Sequence, residues 1–135
     1  MNAIADTGLL VALARANDQD NPWACEVGAQ IDWPVLTCEA VLAEAAFHLQ
    51  SCAPVLDMLR DGVVRVAFDC ESNLEQLRDL ARRYAHRDPD LADLCLIRMS
   101  ELFPRHTVVT VDEDDFRVYR RNKREAIPLL CPPRR

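Results

Sequence analysis

Ile4-Ala-Asp-Thr-Gly-Leu-Leu-Val-Ala-Leu13 is the stretch on which the fold reading turns. Ala3 to Asp6 is a short apolar run that ends in an acid, the pattern of a buried strand. Thr7-Gly8 then leads into Leu9–Ala16, which reads as a helix. A strand that passes at once into a helix is half of a βαβ unit, whose next strand lies parallel to the first.

The rest of the chain repeats this alternation. A helix is expected from Pro22, because proline suits the first helical position. Pro34 to Thr37 reads as a strand, and Ala40 to Gln50, apolar nearly all round, as a buried helix. Pro54 to Arg60 is a further helix, and β-branched Val63 to Phe68 a strand. Ser72-x-x-Glu75 has the form of a capping box opening a helix to about Tyr84. Leu91 to Leu102 is the next helix and Thr107 to Val111 a strand. A helix around Asp114 to Arg121 and a strand at Ile127 to Leu130 close the chain. No repeat, linker or low-complexity stretch interrupts it, so residues 1–135 read as one domain. The expected fold is α/β, a three-layer α/β/α sandwich over a mainly parallel sheet.

Composition narrows the class. Half of the residues are apolar and 28% are charged, as in an ordinary globular domain. No apolar run is long enough for a bilayer, and the start of the chain has neither the basic segment nor the cleavage site of a secretory leader. A cytoplasmic protein without a membrane partner is expected. The cysteines at 25, 38, 52, 70, 95 and 131 form no CxxC pair, so they read as reduced, mostly buried small apolar residues. The net charge of −6 argues against a nucleic-acid binder, yet Arg117, Arg120, Arg121, Lys123 and Arg124 make a basic run, as do Arg82, Arg83, His86 and Arg87.

Four acids stand alone in apolar surroundings. Asp6 is the one charge between Met1 and Ala14, Glu44 the one from Ala40 to Phe47, and Asp93 the one from Leu91 to Ile97. Asp112 follows the apolar run at Thr107 to Val111. An ionised carboxylate in an apolar setting needs a partner. A single such acid usually finds an arginine or a backbone cap. Four together, in segments almost without basic residues, point to a metal ion. An all-oxygen donor set favours Mg2+ or Mn2+. The chemistry of such a site is phosphodiester hydrolysis by water. Asp90 and Asp115, each three residues from one of these acids, are supporting candidates on shared helix faces. Thr7 and Thr110 are candidates to orient a carboxylate or touch a phosphate. Glu39 is expected at the helix start, facing away from Glu44.

The order of these motifs resembles that of the PIN-domain family. Ile4 to Leu13 looks like its first motif, Pro34 to Ala46 its second with Glu44, Asp90 to Ile97 its third with Asp93, and Thr110 to Phe116 its fourth with Asp112 and Asp115. The resemblance implies a Mg2+- or Mn2+-dependent endoribonuclease in which Asp6, Glu44, Asp93 and Asp112 hold the metal and carry catalysis. It also implies similarity to VapC-type toxins of toxin–antitoxin pairs: a homodimer, an antitoxin protein as partner, and tRNA or rRNA as substrate. Family members often carry Asp-x-His-His after the first helix, where this chain reads Asp18-Gln-Asp-Asn-Pro-Trp23. A non-catalytic PIN fold kept for protein or RNA binding is the alternative, and a DNA nuclease a third reading. Receiver-like and haloacid-phosphatase-like folds fit poorly, because Gly8 follows Thr7 and Lys123 lies in a basic run.

Overall fold

The computed structural model describes residues 1–134. Its centre is a five-stranded sheet built from β1 (Ala3–Ala5), β2 (Val35–Thr37), β3 (Val64–Val66), β4 (Thr107–Val109) and, later in the chain, Leu129–Leu130. All pairings in this sheet are parallel, with Ile4 opposite both Leu36 and Val108, Val35 opposite Val64, and Val108 opposite Leu129. Among the described residues, seven helices complete an α/β/α sandwich: α1 (Thr7–Ala14), α2 (Asn21–Gly28), α3 (Glu39–Leu49), α4 (Ala53–Arg60), α5 (Leu74–Arg83), α6 (Leu91–Leu102) and α7 (Glu113–Val118). α1 packs on α2 and α3, α3 on α4, and α5 on α6.

A small antiparallel hairpin, β5 (Arg120–Arg121) with β6 (Glu125–Ala126), precedes the last strand of the main sheet, which is therefore β7. The main sheet runs in the order β3-β2-β1-β4-β7. From β1 the chain winds outward through β2 and β3, then returns to lay β4 on the other flank of β1. The order reverses between β1 and β4. At such a switch the connections leave a crevice beyond the carboxyl ends of the two strands. Asp6 directly follows β1, and Asp112 comes three residues after β4.

The sheet and its flanking helices share one buried core. Ile4, Leu9, Leu10, Val35, Leu96, Ile97, Val108 and Val109 are fully enclosed. Each side chain of that size contributes about 1.5–3 kcal/mol on burial. α1 and α6 are buried on most of their surface, and each therefore carries its acidic residue on a fixed frame.

Several local expectations are corrected. The first helix begins at Thr7, because Asp6 itself caps it, and ends at Ala14, where Arg15 turns extended. α3 is only half buried, with Val41 and Ala45 in the core but Phe47 78% exposed. Glu39 occupies its first turn, at the favourable end of the helix dipole, and the N-cap Cys38 makes no side-chain cap bond. The Ser72/Glu75 capping box does not form. Ser72 lies in a 3-10 turn over Glu71–Asn73, and its amide and hydroxyl both donate to the Asp69 carboxylate. The last helix stops at Val118 rather than Arg121, because Asn122 and Lys123 adopt left-handed backbone angles that turn the hairpin. Three cysteines, Cys25, Cys52 and Cys70, are exposed, where a mostly buried set was expected. The basic run is not simply a solvated face either. Arg121 is buried and donates to the carbonyls of Ser100 and Pro104 and to Glu125. Among the described residues, no helix is long and apolar enough to cross a membrane.

Candidate metal centre

The crevice at the strand switch is a cleft lined by Asp6, Glu44, Asp90, Asp93, Asp112 and Asp115. Separate pieces of the frame deliver these acids. Asp6 is the N-cap of α1 and accepts from the Thr7 amide at 2.7 Å. Its second oxygen accepts from the Thr110 hydroxyl at 2.5 Å. Thr110 in turn accepts from the Asp112 amide at 3.0 Å, so one buried hydroxyl joins the acid after β1 to the segment after β4. Asp112 caps α7 by accepting from the Asp115 amide at 3.3 Å. Glu44 enters from the middle of α3.

Asp90 and Asp93 do not sit as a pair on one helix face. Asp90 is the extended N-cap of α6 and accepts from the Asp93 amide at 2.8 Å. Asp93 stands in the first turn and points to Tyr119, whose hydroxyl donates to its Oδ2 at 2.9 Å. Tyr119 is almost fully buried and is held edge-on by the rings of Tyr84 and Phe116.

The tightest group is Asp93, Asp112 and Asp115, each offering a carboxylate oxygen within 4.8 Å of the others. An octahedral shell with bonds of about 2.0–2.1 Å places opposite oxygens roughly 4 Å apart. The trio could therefore hold one divalent ion after small side-chain movements. Asp115, expected as a support, is here a member of the trio. Asp6 and Glu44 line the same cleft outside it. Thr7 lines the cleft too, whereas Thr110 lies beneath it, fully buried.

Acids outnumber cations along the cleft, and their protonation reflects it. Burial raises the Asp6 carboxyl above the usual carboxylate range, against the opposing hydrogen bonds from Thr110 and Thr7. Burial raises Glu44 as well, with Asp90 and Asp6 adding repulsion. Burial and then the charge of Asp90 push Asp93 up to about 7. Asp112 is raised by burial and by its acidic neighbours. One cation has moved in: Arg87 ion-pairs with Asp115 at 2.6 Å. The Thr7 hydroxyl is buried with no hydrogen-bond partner among the described residues. An all-carboxylate donor set, acids held above their ordinary range and an unpartnered hydroxyl at the wall together fit a hard divalent cation with an oxygen-rich ligand.

Sequence reasoning missed Tyr119 and the role of Arg87. Tyr119 meets Asp93 across 26 residues, and Arg87 meets Asp115 across 28. No local periodicity links positions so far apart. His48, one helical turn beyond Glu44, and Arg15, which donates to the His48 carbonyl, also line the cleft. Gly8 has a steric reason to be glycine. A Cβ there would stand 2.3 Å from Val111 Cγ2, because α1 starts hard against the segment that carries Asp112.

A scan of the chain against protein-family models finds no match, and a search of curated proteins finds none.

Proposed function

We propose that this chain is a Mg2+- or Mn2+-dependent endoribonuclease of the PIN-domain type. The observation that carries the reading is the meeting of Asp6, Glu44, Asp93, Asp112 and Asp115 in one cleft at the strand-order switch of a parallel sheet. Asp93, Asp112 and Asp115 would hold the ion, with Asp6 and Glu44 lining the same cleft. When bound, the ion supplies an activated water and neutralises charge on the scissile phosphate. The protein's part is positional. Thr110 fixes Asp6 against the Asp112 segment, and Tyr119 aims Asp93. His48, Arg15 and Arg87 at the cleft lower the repulsion that an RNA backbone would meet there.

The same reading makes the chain the toxin of a toxin–antitoxin pair, acting as a homodimer on tRNA or rRNA and silenced by an antitoxin protein. A second reading, a non-catalytic PIN fold that binds RNA or protein, draws on one observation: Arg87 already neutralises Asp115.

Cleavage of total tRNA and of a single-stranded RNA separates the two. The purified chain is incubated with Mn2+, with EDTA, and as the Asp6→Asn variant. Cleavage that needs both Mn2+ and Asp6 supports the nuclease. RNA retention on a filter without cleavage in Mn2+ supports the binding module.

A further inference from the structure

Three cysteines far apart in sequence meet beside α6. Cys95 is fully buried on α6, Cys38 is buried at the start of α3, and Cys70 is exposed in the turn after β3. The sulfurs of Cys70 and Cys95 are 3.6 Å apart, and Cys38 contacts Cys95 from within the core. We propose that Cys70 and Cys95 are a redox pair that closes into a disulfide under peroxide and clasps the β3–α5 turn onto α6.

The geometry assigns the two sulfurs different parts. An exposed thiol meets the oxidant first. Cys70 also borders a surface groove with Leu74, Leu77, Leu91 and Leu94, so hydrogen peroxide reaches it from solvent. Its sulfur attacks one peroxide oxygen, the O–O bond breaks, and Cys70 becomes a sulfenic acid with release of water. The Cys95 sulfur then attacks the Cys70 sulfur. The S–O bond breaks, the hydroxide leaves with the Cys95 proton as a second water, and the S–S bond forms. Two thiols lose two electrons and two protons in all, and one peroxide becomes two waters.

Closure from 3.6 Å to a bond of about 2.05 Å requires one side to move. Cys95 is fixed in the core, so the exposed turn moves. That turn already leans on α6, because Asn73 bonds the Asp69 carbonyl and accepts from Arg98 of α6. The disulfide adds a covalent link to these hydrogen bonds and spares Cys70 further, irreversible oxidation. Cys38 is buried, so solvent oxidant does not select it.

The test uses the full chain with Cys25→Ser and Cys52→Ser, both exposed positions, so that intermolecular disulfides do not form. The reduced protein is treated with stoichiometric hydrogen peroxide, its free thiols are alkylated under denaturing conditions, and it is mapped by peptide mass spectrometry. The expected product carries a Cys70–Cys95 crosslinked peptide, two hydrogens lighter than its two free-thiol peptides together and reversed by dithiothreitol, and melts roughly 5–10 °C higher than the reduced form. Adding Cys70→Ser, an exposed change that circular dichroism verifies as folded, abolishes both the crosslink and the shift. A Cys38–Cys95 crosslink, or Cys70 recovered as sulfinic acid with Cys95 still alkylated, overturns the proposal.

Discussion

The Tyr119 hydroxyl donates to Asp93 Oδ2 at 2.9 Å, and it does so from the end of α7 to the start of α6. The bond favours the ionised carboxylate, which burial and Asp90 otherwise disfavour. Tyr119→Phe keeps the ring packing on Tyr84 and Phe116 and removes only the donor. The net cost to stability is about 1 kcal/mol. Mn2+ affinity, measured by calorimetry, is expected to fall by about 10-fold, in the range known for partners that orient metal ligands. Unchanged affinity would show that Asp93 is held by its helix alone.

Asp6→Asn and Asp93→Asn are each expected to abolish metal-dependent RNA cleavage while leaving the far-ultraviolet dichroism spectrum intact. Both side chains keep their size, and in Asp6→Asn the amide oxygen of the new side chain still accepts from the Thr7 backbone N–H. Full cleavage by either variant would remove that acid from the site.

The cleft makes stability depend on pH in a definite direction. Asp93 titrates at about 7 in the folded chain and at about 3.9 when unfolded, so the folded state holds its proton more tightly. Its favourable contribution is complete below pH of about 4 and is lost as pH rises toward about 7. Asp6, Glu44 and Asp112 are shifted the same way. Asp69, Asp79 and Glu125 are shifted down and act oppositely in acid, so the comparison is made between variants. Between pH of about 5 and 8, the metal-free chain's melting temperature is expected to decline more steeply than that of Asp93→Asn. Millimolar Mn2+ should flatten the wild-type curve by binding the ionised acids. Parallel curves for the two proteins would contradict the raised Asp93.

Gly8→Ala tests the contact between α1 and the β4 segment. Alanine favours a helix by up to about 1 kcal/mol, but here its methyl lands 2.3 Å from one Val111 methyl and 3.0 Å from the other. Val111 must shift to admit it, and overpacking of this kind costs about 1–3 kcal/mol. Val111 is 38% exposed and has room to move outward, carrying Asp112 with it. Cleavage is therefore expected to fall by more than the loss in melting temperature explains. A variant with wild-type turnover and a lowered melting temperature would confine the contact to stability.

Much of this architecture was legible because it rests on short-range patterns. Short apolar runs ending at Asp6, Thr37 and Val111 read as strands by their length, and their alternation with helical segments favours a parallel sheet. The isolation of Asp6, Glu44, Asp93 and Asp112 among apolar neighbours was equally visible, because a lone charge beside leucine and valine needs a compensating partner wherever it folds. The tertiary structure alone decided which groups meet. It set the strand order that opens a cleft beyond β1 and β4, and it closed the tight trio around Asp115 instead of Asp6. It brought Tyr119 to Asp93, Arg87 to Asp115 and Cys70 to Cys95 across 25 to 28 residues. It also turned the basic stretch after Val118 into a hairpin with Arg121 buried inside. Periodicity encodes which face of an element is apolar. Contacts between elements follow from how those faces pack, and packing depends on the whole chain at once.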